Sequence, residues 1–333
     1  MVAIVERCPA RAAIAGNPSD GFGGAVLAIP VRTRHAEVTI RPSTRFAVAD
    51  ADGTTEYADA DELIVAARTA RAGDIHSLVL GAIAVSERAA PGRGDPEPFT
   101  VAVSTTIPRS VGLAGSSAIV LATLRALARH SDRPATPPDA LAPLALHVER
   151  DLLGIAAGLQ DRVVQAYDRP MMMRFGADDV RFVGGFEGGR YEPLPDQSGL
   201  DLFVAFQPHD PTPSQVVHAD LRTRFDRGDP AVRAAMSALG DEAERANTAW
   251  VDGDVDALGS AMDRSFDLRR SVLDLDPRHV EMVDVVRRAG AHANYSGSGG
   301  AITVLCADPA AGPDAGRAAR TAVAAIGCEL IER

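Results

Sequence analysis

Residues 108–118 read Pro108-Arg109-Ser110-Val111-Gly112-Leu113-Ala114-Gly115-Ser116-Ser117-Ala118, and they lead into an Ala- and Leu-rich segment that predicts a helix over 116–129. The first turn of a helix has backbone N–H groups without helical partners and carries a partial positive charge. Glycines before the helix let the backbone curl, so that further N–H groups point inward. Such a loop can cradle phosphate, although a core helix with a Gly/Ser cap would show the same residues.

Composition limits the class of protein. The chain has 333 residues, 46% of them hydrophobic, and no apolar run long enough to cross a membrane, so we expect a soluble globular protein. The formal net charge of −11 argues against a nucleic-acid-binding surface. The first residues lack the features of a signal peptide, and Cys8, Cys306 and Cys328 are too scattered for a disulfide framework or a zinc cluster. These features predict a cytoplasmic protein without nucleic-acid or membrane partners.

Lysine is absent, and all 34 basic residues are arginines. A fixed cation in a functional site must therefore be an arginine or a metal ion. The absence of lysine excludes the Gly-Lys-Ser/Thr loop of P-loop nucleotidases. The Gly-x-Gly-x-x-Gly spacing of dinucleotide-binding folds is missing from the loops at Gly112 and Gly297, and the Gly-x-Ser-x-Gly motif of serine hydrolases is missing from the chain.

Hydrophobic periodicity predicts strands and helices in both halves of the chain. In the first half we predict strands over 3–6, 25–31, 36–40, 46–48 and 100–105, and helices over 63–72, 77–88, 116–129, 140–153 and 160–167. In the second half we predict strands over 171–175, 202–207 and 301–306, helices over 231–250, 255–273 and 278–289, and a final helix and strand. Without a regular βα alternation, this order predicts an α+β fold with two lobes. We place the domains at residues 1–176 and 177–333, although no linker marks the boundary.

A polar cluster follows the first predicted strand. Arg7 leads out of this strand, and a turn-rich segment then presents Asn17, Ser19 and Asp20. Their side chains offer donors and acceptors to a ligand with several hydroxyl groups. An Asn-Pro turn with a capping aspartate would account for the same residues.

A second cluster directs two carboxylates toward the same space. Glu149 lies beside the apolar stripe of the helix predicted over 140–153, and Gly154 and Gly158 break that helix. Asp161 on the next helix can then return toward Glu149. One carboxylate could hold Mg²⁺ while the other lies near a reacting hydroxyl. A solvated ion pair for Glu149 and an ordinary first-turn position for Asp161 would also account for them.

The last cluster is a run of small residues, Asn294-Tyr295-Ser296-Gly297-Ser298-Gly299-Gly300-Ala301, which precedes a predicted strand. Glycine and serine allow a ligand to approach the backbone closely. A tight hairpin would show the same residues.

In this order, the four stretches resemble the GHMP kinases, the family of galactokinase, homoserine kinase, mevalonate kinase and phosphomevalonate kinase. The resemblance covers residues 9–301. Residues 17–20, 157–165 and 266–270 look most like those of glucuronokinases, which phosphorylate the anomeric hydroxyl of glucuronic acid. The resemblance implies two lobes with the active site in the cleft between them, ATP as co-substrate with Mg²⁺, a sugar as acceptor, and a monomer or homodimer.

The resemblance also implies roles for individual residues. Asp161 would be the catalytic aspartate, with Arg11 as its partner, and Mg²⁺ would be held by Ser117 and Glu149. The nucleotide would contact Pro108, Gly112, Leu113, Ala114, Gly115, Ser116, Ser117 and Ala118. The substrate would contact Asn17, Ser19, Asp20, Asp161, Arg269, Ser296, Gly297, Ser298 and Gly299.

The resemblance leaves the substrate open. Arg11 stands where mevalonate kinases carry a lysine, which favours a sugar kinase. An anionic sugar would need a cation, and we choose Arg269 over Arg270 and Arg174, although a surface ion pair would also account for Arg269. The alternatives are a heptose or octose phosphate kinase and a catalytically inactive regulator that binds nucleotide or sugar.

Overall fold

The computed structural model describes residues 2–71, 73–88, 97–208, 214–306 and 314–333. A seven-stranded sheet forms the centre of the first half. Its first six strands are β1 (Ile4–Ala15), β2 (Ala25–Pro42), β3 (Phe46–Asp50), β4 (Gly53–Tyr57), β5 (Phe99–Thr105) and β6 (Met171–Arg174). A separate hairpin follows, formed by β7 (Arg181–Val183) and β8 (Phe186–Gly188), and β9 (Arg190–Pro193) then completes the sheet.

The long strand β2 organises this sheet. The strand order is β4-β3-β5-β2-β6-β9. Strands β5 and β6 pair with different parts of one edge of β2, and β1 pairs with its other edge. The pairs are antiparallel except for β3 with β5. Strand β2 therefore connects β1 to the rest of the sheet.

Strand β1 is longer than the strand predicted over 3–6. It is buried on both faces from Cys8 to Ala15, so it lacks the alternation of polar and apolar residues that marks a half-exposed strand. Arg11 is consequently a strand residue, and the turn begins only at Gly16. Likewise, the single strand β2 replaces the two strands predicted over 25–31 and 36–40.

Helices cover this first sheet: α1 (Ala60–Thr69), α2 (Ile75–Arg88), α3 (Gly115–His130), α4 (Pro138–His147) and α5 (Leu159–Tyr167). Residue 72, the predicted end of α1, lies outside the described residues. Helix α3 is apolar on most sides because it packs against β1, β2, α2 and α5. The helix predicted over 140–153 is divided, because α4 ends at His147 and a π-helical turn follows over Val148–Leu152.

The second half contains an antiparallel sheet in the order β11-β12-β10-β13. From residue 202 onward, the elements in chain order are β10 (Leu202–Phe206), α6 (Ser214–Asp226), α7 (Pro230–Asp252), α8 (Val255–Val272), α9 (Pro277–Arg288), β11 (His292–Tyr295), β12 (Ala301–Leu305), α10 (Asp314–Ala325) and β13 (Glu329–Glu332). Helices α7, α8 and α9 each begin after an aspartate whose side chain accepts backbone N–H bonds of the first turn. Within the described ranges, no helix has both the length and the apolar character needed to span a bilayer.

One hydrophobic cluster extends across the two halves, and two further clusters of buried residues belong to the second half. Trp250 of α7 and Leu202 of β10 belong to the same buried cluster as Val26 of β2. Because β9 pairs with β6, the first sheet also takes a strand from beyond residue 176. The domain boundary at residue 176 stays a prediction.

Candidate active site

A cleft of about 1260 Å³ brings the polar clusters together. Its wall includes residues from the loop before α3, from the turn at 17–23, from the start of α5 and from the loop at 297–298. These segments are far apart in sequence. The shape of each one explains which of the predicted residues face the cleft.

The loop before α3 curls as the sequence predicts. Ser110, Gly112 and Ala114 all have positive φ, at 62°, 75° and 61°. No side chain caps the start of α3, so the amides of its first turn remain available to a ligand. Pro108, Gly112, Leu113, Ala114, Gly115 and Ser116 line the cleft.

Ser117 and Ala118 lie behind this loop and are fully buried. The Ser117 hydroxyl donates to Oε1 of Gln165 at 2.6 Å, and Nε2 of Gln165 donates to the carbonyls of Ala114 and Pro9 at 2.8 and 2.9 Å. Gln165 of α5 thus holds the loop against β1. Neither Ser117 nor Ala118 lines the cleft, unlike the other residues predicted to contact the nucleotide.

Two glycine-containing loops touch each other at the cleft. A Cβ atom at Gly297 would stand 2.2 Å from the carbonyl oxygen of Gly112, and one at Gly112 would stand 2.9 Å from the backbone N of Ser298. Larger residues would therefore separate the two loops.

Asp161 lies in the first turn of α5, and its side chain is 18% exposed. Oδ1 of Asp161 accepts a hydrogen bond from Nη2 of Arg11, and Nη1 of Arg11 donates to the carbonyl of Ser296. Arg11 reaches this position from the interior of β1 and is buried. The predicted pair of Asp161 and Arg11 is thus formed.

Arg162 joins the two predicted carboxylates and had no role in our sequence-based prediction. Nε of Arg162 donates to Oε2 of Glu149 at 2.7 Å, and Nη1 donates to Oδ2 of Asp161 at 3.0 Å. Nη1 also donates to the carbonyl of Gly158, at the bend between the π turn and α5. Glu149 is fully buried, and its Oε1 atom has no hydrogen-bond partner among the described residues. The structure therefore brings Glu149 and Asp161 together, with one guanidinium between them.

The turn after β1 presents Asn17 and Asp20 to the cleft. Nδ2 of Asn17 donates to the carbonyl of Gly297 at 3.0 Å, and Nε2 of Gln160 donates to Oδ1 of Asp20 at 3.0 Å. Burial, reinforced by the nearby Asp161 carboxylate, raises the pKa of Asp20 to about 7. A protonated Asp20 can donate as well as accept a hydrogen bond.

Ser19, Ser296 and Gly299, which we predicted as substrate contacts, do not line the cleft. The Ser19 hydroxyl donates to the carbonyl of Ala25 at 2.8 Å, and the Ser296 hydroxyl bonds to that of Thr303. Both serines are fully buried, so their hydroxyls stabilise turns. Gly297 and Ser298 are the members of the last cluster that line the cleft.

Arg269, the cation that we predicted for an anionic sugar, is fully buried and does not line the cleft. Its Nη1 and Nη2 atoms donate to the carbonyls of Gly297 and Ser298 at 2.7 and 2.9 Å, and its guanidinium lies 4.6 Å from the ring centre of Tyr295. Burial lowers the pKa of Arg269 to about 10. Arg269 therefore supports the loop from behind.

Comparison with known proteins identifies the family. Residues 77–169 match the description "GHMP kinases N terminal domain", a range that holds the loop before α3 and both carboxylates. The chain is 32% identical over 319 residues to Glucuronokinase 1 of Arabidopsis thaliana, covering 91% of this chain and 85% of that protein. The chain belongs to the GHMP kinase family. It is accordingly a sugar kinase, a phosphotransferase with an alcohol group as acceptor.

Solved structures show the same fold. The galactokinase of Lactococcus lactis complexed with galactose superimposes with a TM-score of 0.77 at 18% identity, covering 98% of this chain and 92% of that one. The phosphomevalonate kinase of Streptococcus pneumoniae in complex with phosphomevalonate and AMPPNP gives 0.77 at 16% identity, covering 99% and 98%. The predicted two-lobed GHMP kinase fold is confirmed, and members of this family use ATP.

Proposed function

We propose that this GHMP kinase transfers the γ-phosphate of ATP to the anomeric hydroxyl of an anionic sugar, with glucuronic acid as the first candidate. The observation that carries the proposal is the position of Asp161, whose carboxylate reaches the cleft that Gly112, Asp20 and Ser298 also line. Likeness to a protein named Glucuronokinase 1 supports the substrate class.

The nucleotide would lie on the loop before α3. Phosphoryl transfer passes through a loose, highly charged transition state, so catalysis depends on positioning and on neutralisation of charge. Residues 112–116 line the cleft, so their backbone amides would be near the phosphates, and the start of α3 adds its partial positive charge. The hydrogen bonds of Gln165 would keep this curl in place when the phosphates bind.

Of the two residues that the resemblance assigns to Mg²⁺, Glu149 has the better fit, although both are fully buried and neither lines the cleft. Mg²⁺ takes oxygen ligands and is usually bound by one or two protein groups together with substrate phosphates. Glu149 has a buried oxygen without a hydrogen-bond partner among the described residues, whereas the Ser117 hydroxyl donates to Oε1 of Gln165 behind the loop. No group of three or more metal-binding side chains occurs in the described part of the chain. When bound, Mg²⁺ would neutralise charge on the β- and γ-phosphates.

Asp161 would accept or orient the proton of the attacking hydroxyl. Arg11 and Arg162 hold one oxygen each, so the carboxylate has a fixed orientation. Asn17 and Asp20 would bind hydroxyl groups of the sugar, since both belong to the turn after β1 and line the cleft. A protonated Asp20 would donate to a sugar oxygen.

The direct test is ADP release with Mg²⁺-ATP across uronic acids, neutral hexoses and heptose phosphates. We expect the highest kcat/KM with glucuronic acid, and ³¹P NMR should show the product as a sugar 1-phosphate. Preference for a heptose phosphate would replace glucuronic acid by the alternative substrate. Nucleotide binding without turnover on any sugar would instead indicate an inactive regulator.

A further inference from the structure

A sugar acid needs a cation at the sugar end of the cleft, and Arg269, which we predicted for this role, is buried and does not line the cleft. We assign that end to residues 20–23, Phe175, Val180 and the hairpin residues 187–188, which all line the cleft. Asp20 and Glu187 are the acidic residues of this wall. An anionic substituent placed there would be repelled unless a cation faced it.

Among the described residues that line the cleft, the basic ones are Arg11, Arg109, Arg150, Arg162 and Arg222. Arg11 and Arg162 are bound to the carboxylates of the reaction centre. Arg109 belongs to the loop before α3 and lies 3.7 Å from Asp52, and Arg150 is paired with Asp151 beside the π turn. Arg222 is the arginine that adjoins the sugar end.

Arg222 is attached to the turn that carries Asp20. It lies on α6, and its Nη1 donates to the carbonyl of Gly21 at 2.8 Å. Nε donates to Oδ2 of Asp226 at 3.0 Å, and the guanidinium lies 5.7 Å from the ring centre of Phe22. These contacts fix the orientation of the guanidinium and leave Nη2 without a hydrogen-bond partner in the described part of the chain. The side chain is 58% exposed, so an incoming anion can reach it.

We propose that Arg222 binds the anionic substituent of the sugar and thereby determines specificity for an acidic over a neutral sugar. This inference rests on the proposed function, in which the substituent is the carboxylate of a uronic acid. A phosphate ester on a heptose offers the same chemistry to a guanidinium. The substituent would lie between Arg222 and the turn at 20–23, with the reacting hydroxyl toward Asp161.

Arg233 provides a matched control. Phe22 and Phe225 form a ring pair 4.8 Å apart, and Arg233 lies 5.5 Å from Phe225 much as Arg222 lies over Phe22. Arg233 also donates to a backbone carbonyl, that of Phe225, but it does not line the cleft. Arg222→Gln and Arg233→Gln therefore both lose an aromatic contact and a bond to a backbone carbonyl, and only Arg222→Gln also removes the ion pair with Asp226 and a cation from the cleft.

The experiment measures kcat and KM for glucuronic acid, glucose and ATP in wild type, Arg222→Gln, Arg222→Lys and Arg233→Gln. We expect Arg222→Gln to raise KM for glucuronic acid by about 10- to 100-fold, the effect of losing one hydrogen bond to a charged group. KM for ATP and activity on glucose should stay within about twofold, which lies inside the usual range for a surface substitution. Arg222→Lys should restore part of the affinity, and Arg233→Gln should match wild type. Glucuronate binding without ATP, measured by calorimetry, should weaken in parallel.

The experiment distinguishes failure of this inference from failure of the proposed function. If wild type phosphorylates glucuronic acid and Arg222→Gln keeps its KM, the inference is wrong and the proposed function stands. If wild type acts only on neutral sugars, both are wrong. If wild type prefers a heptose phosphate and Arg222→Gln loses that preference, glucuronic acid is excluded and Arg222 keeps its role toward a phosphate.

Discussion

Arg162 donates from Nε to Oε2 of Glu149 at 2.7 Å, while Oε1 of the same carboxylate has no partner among the described residues. Both side chains are almost completely removed from water. A buried carboxylate with one satisfied and one unsatisfied oxygen is costly unless a further cation completes its environment. Arg162 supplies one positive charge to this carboxylate, and the proposed Mg²⁺ would supply another.

Removal of Arg162 should destabilise the fold. Arg162→Met would leave the charge of Glu149 buried and unpaired, which typically lowers the free energy of unfolding by about 3–5 kcal/mol. Urea unfolding followed by circular dichroism measures this loss. The double variant Arg162→Met/Glu149→Gln removes the unpaired charge, so it should regain a substantial part of the stability. A double variant as unstable as the sum of the two single variants would contradict this interpretation.

Asp161→Asn should reduce turnover by about 10²–10⁴-fold, the usual contribution of a general base. The asparagine keeps the shape of the side chain but cannot accept the proton in the same way. KM for ATP should change little, since Asp161 belongs to α5 and not to the loop before α3. Asp151→Asn is a suitable control, because Asp151 is exposed and paired with Arg150. A folded Asp161→Asn variant with near-native turnover would remove Asp161 from this role.

The sequence predicts which segments form the site better than it predicts which atoms face the cleft. The curl before α3, the convergence of Glu149 with Asp161 and the position of Asn17 follow from local signals such as glycines and helix starts. Ser19 and Ser296 have the same residue type as cleft residues, but backbone carbonyls or a buried hydroxyl bind their side chains. Nothing in a single sequence distinguishes these two environments.

Long-range partners account for the residues that the sequence did not reveal. Gln165 bonds to the carbonyl of Pro9 in β1, 156 positions away. Arg269 bonds to Gly297 and Ser298 in another element, so its charge supports a loop instead of reaching a ligand. Local sequence patterns do not indicate hydrogen bonds between residues that are this far apart in the chain. A polar residue on the buried face of a short helix, such as Arg162 on α5, is the one signal that the sequence offers.

Asp20 should give the protein a distinct dependence of stability on pH. Burial and the nearby Asp161 raise the pKa of Asp20 from 3.8 to about 7 in the folded state. The native state therefore holds a proton that the unfolded state releases, and the stability associated with Asp20 decreases as the pH rises from about 4 to about 7. Urea unfolding at pH 5 and pH 8 should show wild type losing stability relative to Asp20→Asn. An unchanged difference between the two proteins at both pH values would show that Asp20 ionises normally.

Gly297→Ala should impair catalysis by separating the two loops that meet at the cleft. The added methyl group would stand 2.2 Å from the carbonyl oxygen of Gly112. Because that oxygen is a backbone atom, no side-chain rotation can relieve the clash. Gly297 does not have a positive φ, so the effect is steric and not conformational. Because a shift of about 1 Å in a reactive group can cost about 100-fold in rate, we expect a loss of that order in kcat/KM. Gly199→Ala is the matched control, since its methyl group would meet no atom within 4 Å and should leave kcat/KM unchanged. Wild-type kinetics in Gly297→Ala would mean that the contact between Gly112 and Gly297 does not position the reacting groups.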